Sequence, residues 1–408
     1  MSYNHTILQK GGEGMYKKVL AGMLSVAMAM GTVMGAASVS AGENEPYKIG
    51  VFLRFSDEAG TKMQATINKA FEDINEAGGI NGHQVETIMY DTEGDSPKAI
   101  DAFSRLISQD EVLAAIGPTT SSCALAVIDM ARDYEIPLMT PQATNTDITK
   151  EYGNEWFFRN SVADIYHSYT LCDYIVEDMK AEKIAIVHET GTLGLGQYEN
   201  FVERLKDEHG MEPVAEQEWN EGDVDFKTQL LAVKDADPDV IVFAGHEAEL
   251  AIAVSQRLDV GISKDIPICG FSSMSSSDYY NVAGDAAVGS VFVTTFSPTD
   301  ERDDIQAFVE EYKDVVPAMD HNSAQAYDTV QLLADVMDGL EIGNTSESLA
   351  DDRTMIRDAL AEVKDWQGLT GVTSFGPGGG PEDRDGKTVA SVYQLQDDFT
   401  WSCLKAAE

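Results

Sequence analysis

From Tyr47 onward, short apolar runs alternate with longer stretches in which apolar residues recur every three or four positions. The runs at 48–53, 84–90, 112–116 and 136–139 have the length and composition of buried strands. Between them, residues 62–76, 97–108 and 121–133 carry a helical period; Ile67, Ala70, Phe71 and Ile74 fall on one face of the first. Strands separated by amphipathic helices predict a parallel sheet covered on both sides, which is a doubly wound α/β lobe.

A second series of the same kind opens near Asp164. It predicts helix 165–179, strand 183–188, helix 196–209, strand 211–218, helix 226–235, strand 240–243, helix 248–259, and strands 266–269 and 289–295. Three helical stretches follow, at 303–315, 322–339 and 351–363, without strong strand signals between them; they would cover the first lobe if the chain returned to it. The end, 368–375 and 387–396, reads as two strands joined by the Gly-Pro-rich turn 376–381. The fold class expected is therefore α/β, with two Rossmann-like, doubly wound lobes. Residues 45–162 with 296–370 form the first lobe, and 163–295 with 371–405 the second. A hinge crossed several times by the chain suits closure around a ligand.

The length of 408 residues exceeds what one hydrophobic core organises, in keeping with two lobes. Charge narrows the partners. The 28 Lys and Arg against 70 Asp and Glu give a formal net charge of -42, which repels phosphate backbones and anionic lipid surfaces alike and excludes nucleic acid. The acidic residues are spread along the chain and read as a solvated surface.

Ahead of the lobes, Lys17 and Lys18 precede an apolar run from Val19 to Ala37 rich in Ala, Met and Gly, the pattern of a secretory signal. Val39-Ser40-Ala41 places cleavage after Ala41, with Met15 as the start and residues 1–14 as an upstream extension; the mature chain is expected to be periplasmic. Cys123, Cys172, Cys269 and Cys403 lie too far apart in sequence for a zinc or redox motif, and their pairing stays open.

The chemistry concentrates at strand ends. After strand 112–116, Gly117-Pro118-Thr119-Thr120-Ser121-Ser122 leads straight into a helix, whose first N–H groups and hydroxyls would hold an anion; a plain helix cap explains the same residues. The next strand runs into Thr140-Pro141-Gln142-Ala143-Thr144-Asn145, again delivering hydroxyls and amides. Two adjacent strand ends make one polar rim of a cleft. Gly191-Thr192-Leu193-Gly194-Leu195-Gly196 lacks the G-x-G-x-x-G spacing of a dinucleotide site. No nucleophile elbow, zinc-protease helix or catalytic carboxylate pair is present, so neither an enzyme nor a cofactor or metal is expected.

Asp73-Ile74-Asn75-Glu76-Ala77-Gly78-Gly79-Ile80-Asn81-Gly82, then Tyr90-Asp91 and Asp95-Ser96-Pro97, resemble the Leu/Ile/Val-binding-type periplasmic receptors of ABC importers, the type I solute-binding fold. Ile116-Gly117 with Ser121-Ser122, residues 137–144, and Ile184-Ala185-Ile186-Val187 with Gly194 and Gly196 extend the resemblance from Tyr47 to Trp401. It implies a monomeric receptor that delivers an amino-acid-like or small carboxylate ligand to a membrane ABC permease; a sensory module or a secreted enzyme on the same fold are the alternatives. It also implies that Ser121 and Thr144 hold the ligand carboxylate, with Thr120, Ser122 and Gln142 adjacent. From the second lobe it implies Leu193, His246, Phe271 and Ser272. The family's amino-acid receptors carry an aromatic residue where Leu193 stands and an acidic one near Ser272, and this sequence has neither. Glu247 or Glu249 could take the ligand ammonium, though acidic residues also suit the first turn of a helix. A ligand without an ammonium group is the other possibility.

Overall fold

The computed structural model describes residues 44–376 and 384–407. The expected signal segment and most of the turn 376–381 lie outside them. Two sheets organise the chain. In the first, β1 (Tyr47–Leu53), β2 (Val85–Asp91), β3 (Ala114–Ile116), β4 (Leu138–Thr140) and β5 (Phe157–Val162) are all parallel, in the order β2-β1-β3-β4-β5. Three helices connect them: α1 (Glu58–Glu76), α2 (Ser96–Ser108) and α3 (Ser121–Asp133). Asp57 caps α1 by accepting the Gly60 N–H at 2.7 Å, and Met63, Ile67, Ala70, Phe71 and Ile74 form the buried stripe that the helical period requires.

The short helix α4 (Asp147–Lys150) lies between β4 and β5, and the chain enters the second lobe through α5 (Asp164–Asp173), which runs on as a π-helical turn over Tyr174–Asp178. There β6 (Ile184–Glu189), β7 (Ala215–Trp219), β8 (Val240–Ala244), β9 (Ile268–Gly270) and β10 (Val291–Thr294) are parallel in the order β7-β6-β8-β9-β10. Their helices are α6 (Thr192–Asp207), α7 (Lys227–Asp235), α8 (Glu247–Gln256) and α9 (Ser277–Ala283). Both sheets thus reverse direction of winding between their first strand and the strand that follows the next crossover: between β1 and β3 in one, between β6 and β8 in the other. Such a reversal opens a crevice at the carboxyl ends of the strands.

After β10 come α10 (Asp303–Tyr312), α11 (His321–Met337) and α12 (Leu349–Ala361). Val330, Leu333 and Met337 of α11 and Ile356 and Leu360 of α12 share one core with β1 and α1, so these helices do cover the first lobe. The chain's last crossing differs from the boundary expected at residue 371. A hairpin of β11 (Trp366–Gly368) and β12 (Gly371–Thr373) is followed by β13 (Asp385–Lys387), which pairs with β5 in the first sheet. Only β14 (Ser391–Leu395) and β15 (Trp401–Lys405) join the second sheet, antiparallel. Buried polar anchors hold β13 in the first lobe: Asp385 meets Arg159 Nε at 2.7 Å, and Lys387 Nζ donates to Thr370 Oγ1 at 2.6 Å and to Asn160 Oδ1 at 3.0 Å.

Strand β5 was absent from the expected pattern because Arg159, Asn160 and Ser161 interrupt its apolar run, yet all three are fully buried. The strand expected at 211–218 shortens to β7, an edge strand whose exposed alternate residues are acidic and polar. All four cysteines are free; Cys403 is exposed and the others are buried. Among the described residues, no helix is long and apolar enough to cross a membrane.

Candidate functional site

A cavity lies where the two crevices face each other, and both lobes wall it. From the first lobe, the end of β1 supplies Asp57 and Ala59, the end of β3 supplies Thr119, Thr120 and Ser121, and the end of β4 supplies Gln142 and Thr144. Gly117 makes the turn after β3 possible. Its φ is +137°, and a Cβ there would lie 2.3 Å from the Phe52 carbonyl oxygen, so only glycine lets β3 pass so close to β1 on its way into α3. Ser121 Oγ accepts the Asn145 N–H at 3.3 Å, and Thr140 Oγ1 donates to the Pro118 carbonyl at 2.7 Å. These bonds tie the two polar loops into one wall.

The second lobe repeats the device. Gly245, with φ +144°, ends β8 against Glu189 and Trp219, and a Cβ there would meet both at 2.8 Å. His246 caps α8 with its Nδ1 2.7 Å from Glu189 Oε2, and Glu247 follows in the first turn. Burial lowers the His246 pKa, but the Glu189 carboxylate more than offsets it and raises the imidazole to about 9, so the ring is cationic and paired. Glu247 makes no ion pair among the described residues: burial raises its carboxyl pKa, against the adjacent His246 charge and its own backbone N–H, and the carboxylate of Asp57 adds to the rise. Burial likewise raises Asp57, against the N–H of Gly60 and the charge of Arg54.

The remaining wall comes from the hinge and from α11. Behind that wall Asp164 is fully buried, and although Thr144 and Gln197 hydrogen-bond to it, desolvation raises its pKa to about 6. One turn on, His167 is only 2% exposed, and neither of its ring nitrogens has a hydrogen-bond partner among the described residues. Burial, with the charges of His321 and Arg159, lowers its pKa to about 3 and keeps it neutral. On α11, Gln142 Nε2 donates to Asn322 Oδ1 at 2.6 Å, His321 Nδ1 lies 2.8 Å from Ser275 Oγ of the second lobe, and Gln325 Oε1 is buried and has no partner among the described residues.

Of the residues singled out in the sequence, Thr120, Ser121, Gln142, Thr144, Leu193, His246, Glu247 and Ser272 come together on this cavity. Two do not. Ser122 is exposed on the outer face of α3, where its carbonyl accepts from Ser96, and Phe271 is fully buried in the core beneath β9 and β10. Adjacent positions on a helix or an extended chain point in different directions, which separates Ser121 from Ser122 and Ser272 from Phe271. Glu249 turns away and accepts the Gly222 N–H at 2.9 Å.

Sequence reading missed Asp57 because the first helix starts at Glu58, four residues before its expected start. It also missed His167, Gln197, His321, Asn322 and Gln325. A signal for the last group exists: Asn322, Gln325, Asp328 and Thr329 are polar residues at helical spacing, and all four are buried in α11.

Lobe-to-lobe contacts close one side of the cavity. Glu58 accepts from the Asp278 N–H at 3.0 Å and from Ser276 Oγ at 3.1 Å, and it also accepts from the Ser277 hydroxyl. Lys62 Nζ lies 2.6 Å from Glu58 and 2.8 Å from Asp320. Near the hinge, Asn145 Nδ2 donates to the Thr192 carbonyl at 3.0 Å.

The family model described as periplasmic binding protein matches residues 46–398. The Leu/Ile/Val-binding protein BraC3 of Rhizobium johnstonii is 25% identical over 320 residues, 78% of this chain and 84% of that protein. Leu/Ile/Val-binding protein homolog 3 of Brucella melitensis is 28% identical over 251 residues, 61% of this chain and 67% of the relative. Among solved structures, the branched-chain amino acid transporter substrate-binding protein LivJ of Streptococcus pneumoniae, in complex with isoleucine, superposes with a TM-score of 0.77 at 27% identity, covering 88% of this chain and all of that one (100%). The paired sheets, the cleft between them and a family match over nearly all of the described residues agree: the chain belongs to the periplasmic binding protein family.

Proposed function

We propose that this protein is the exported receptor of an ABC importer, which captures a small amino-acid-like or carboxylate solute between its lobes and delivers it to the membrane permease as a monomer. The observation that carries this reading is a cavity built from the carboxyl strand ends of both sheets, at the reversal point of each, and lined by residues with buried polar atoms that are unpaired among the described residues. The relatives named above, a Leu/Ile/Val-binding protein and an isoleucine-bound transporter subunit, support it. In this reading Thr119 to Ser121 and Thr144, at the start of α3 and the end of β4, hold the carboxylate, since free N–H groups, hydroxyls and the positive end of a helix converge there. No side chain of a nucleophile–base pair is needed, and binding alone is the activity.

Mass spectrometry of small molecules released by denaturing the gently purified protein tests this directly. A single solute at near-stoichiometric amount, whose re-addition raises the melting temperature and compacts the protein in small-angle scattering, is the expected result. A panel of amino acids, amides and small carboxylates that produces neither stabilisation nor compaction would overturn it.

A further inference from the structure

Polar side chains dominate the lining of the cavity. Apart from Ala59 and Leu193, every side chain facing it ends in a hydroxyl, amide, imidazole or carboxylate. Two of these polar groups are deeply buried and unsatisfied: His167 and Gln325 are each 2% exposed, with both imidazole nitrogens of the first and the side-chain carbonyl of the second unpaired among the described residues. A buried polar group is normally hydrogen-bonded, so these atoms, on two residues that line the cavity, are left as positions for a partner. A neutral imidazole offers one donor and one acceptor, and the Gln325 carbonyl asks for a donor.

Taking the chain as a solute receptor, we propose that its ligand is a small hydrophilic amino acid bearing a hydroxyl or carboxamide side chain, read by His167 and Gln325, with its ammonium at Glu247. A hydroxyl or carboxamide both donates and accepts, which is what His167 and Gln325 together require. A branched aliphatic side chain would leave all three atoms unpaired, and among the lining side chains only Leu193 and Ala59 are wholly aliphatic. Of the two carboxylates lining the cavity, Asp57 is held by the Gly60 N–H at 2.7 Å and by Arg54 at 3.2 Å, which leaves Glu247 for an ammonium. The other charged groups facing this end are already matched: His246 with Glu189, Arg54 with Asp57, and Lys62 with Glu58 and Asp320. This reading therefore separates the chain from its isoleucine-bound structural relative in ligand class while retaining the architecture.

Isothermal titration of the purified mature chain with L-serine, L-threonine, L-asparagine and L-glutamine, against L-leucine, L-isoleucine and L-valine, tests the inference. At least one hydrophilic amino acid should bind about 100-fold or more tightly than any branched-chain one, because sites built to hydrogen-bond a ligand group reject analogues lacking it. The volume-matched Gln325→Met should narrow that ratio by about tenfold, and Glu247→Gln should weaken the preferred ligand by about tenfold with the ratio kept. A branched-chain amino acid that matches or exceeds the hydrophilic set overturns the proposal, as does an unchanged ratio in a folded Gln325→Met. Binding of none of the seven probes also overturns it, while the receptor reading then stands or falls separately on the solute recovered by mass spectrometry. If Gln325→Met fails to fold, the wild-type ratio alone decides.

Discussion

The Nδ1 of His246 stands 2.7 Å from Oε2 of Glu189, and the same carboxylate oxygen accepts the His246 backbone N–H at 3.0 Å. The pair joins the end of β6 to the start of α8 and fixes the second-lobe wall. Because the imidazole pKa rises to about 9 on folding, its contribution is full below its unfolded value of roughly 6.5 and disappears as pH climbs through about 9. Glu189 is shifted down, so its share is present above the ordinary carboxylate range and is lost only as pH falls through its lowered value.

His246→Gln should therefore cost stability at pH 6 and progressively less as pH rises from 7 to 10. The ring is 37% exposed, so solvent screening holds the effect to roughly 1 kcal/mol. Urea unfolding of both proteins at pH 6, 8 and 10 measures it. A difference that stays constant across that range would mean the pair does not act through the imidazolium.

Ser121→Ala combined with Thr144→Ala should abolish detectable binding of carboxylate ligands and leave the fold intact. Hydrogen bonds to a charged group contribute about 1.5–3 kcal/mol each, so the pair accounts for about 100-fold or more in affinity. Their internal bonds, one to the Asn145 N–H and one to Asp164, are minor by comparison. Titration calorimetry of the double variant, with circular dichroism as the control for folding, checks this; unchanged affinity would move the carboxylate elsewhere.

Glu58 spans the lobes, and Glu58→Ala removes its bonds to Ser276, Ser277 and Asp278 while leaving Lys62 paired with Asp320. The expected consequence is ligand release faster by about tenfold, with association and unliganded stability little changed, since interactions made only when the lobes meet act on dissociation. Stopped-flow release kinetics would show it. An unaltered release rate would mean that this contact does not hold the lobes together.

Arg159 is fully buried in β5, bonded to Asp385 at 2.7 Å, to the Asn145 carbonyl at 2.7 Å and to the Thr149 hydroxyl. Arg159→Leu leaves the Asp385 carboxylate buried without its partner, which costs about 3–5 kcal/mol. Adding Asp385→Asn should restore a substantial part of that loss. Thermal unfolding of the single and double variants decides, and a double variant no more stable than Arg159→Leu alone would refute the pairing as the source.

The alternation of strands and helices, the two lobes and the loop from Gly117 to Ser121 were legible from residue order alone, because apolar periodicity and strand-end polarity are local properties. The resemblance carried by residues 73–82 pointed to the same architecture. Strand β5 escaped because its buried Arg159 and Asn160 look like surface residues until Asp385, Thr149 and Thr329 are brought to them. For the same reason β13 was assigned to the wrong lobe, its polar residues being satisfied only by partners more than fifteen residues away.

At the cavity, sequence reached Ser121, Thr144, His246 and Glu247 but could not separate Ser121 from Ser122, because which side chain faces the cleft depends on how α3 sits against its sheet. The unpaired imidazole of His167 and the carbonyl of Gln325, on helices separated from the first wall by tens to hundreds of residues, belong to the site only through the crossings of the chain. Local pattern determined what kind of fold and what kind of wall this chain makes. Only the tertiary structure decided which polar atoms are buried without partners, since burial and satisfaction are properties of the whole packed molecule.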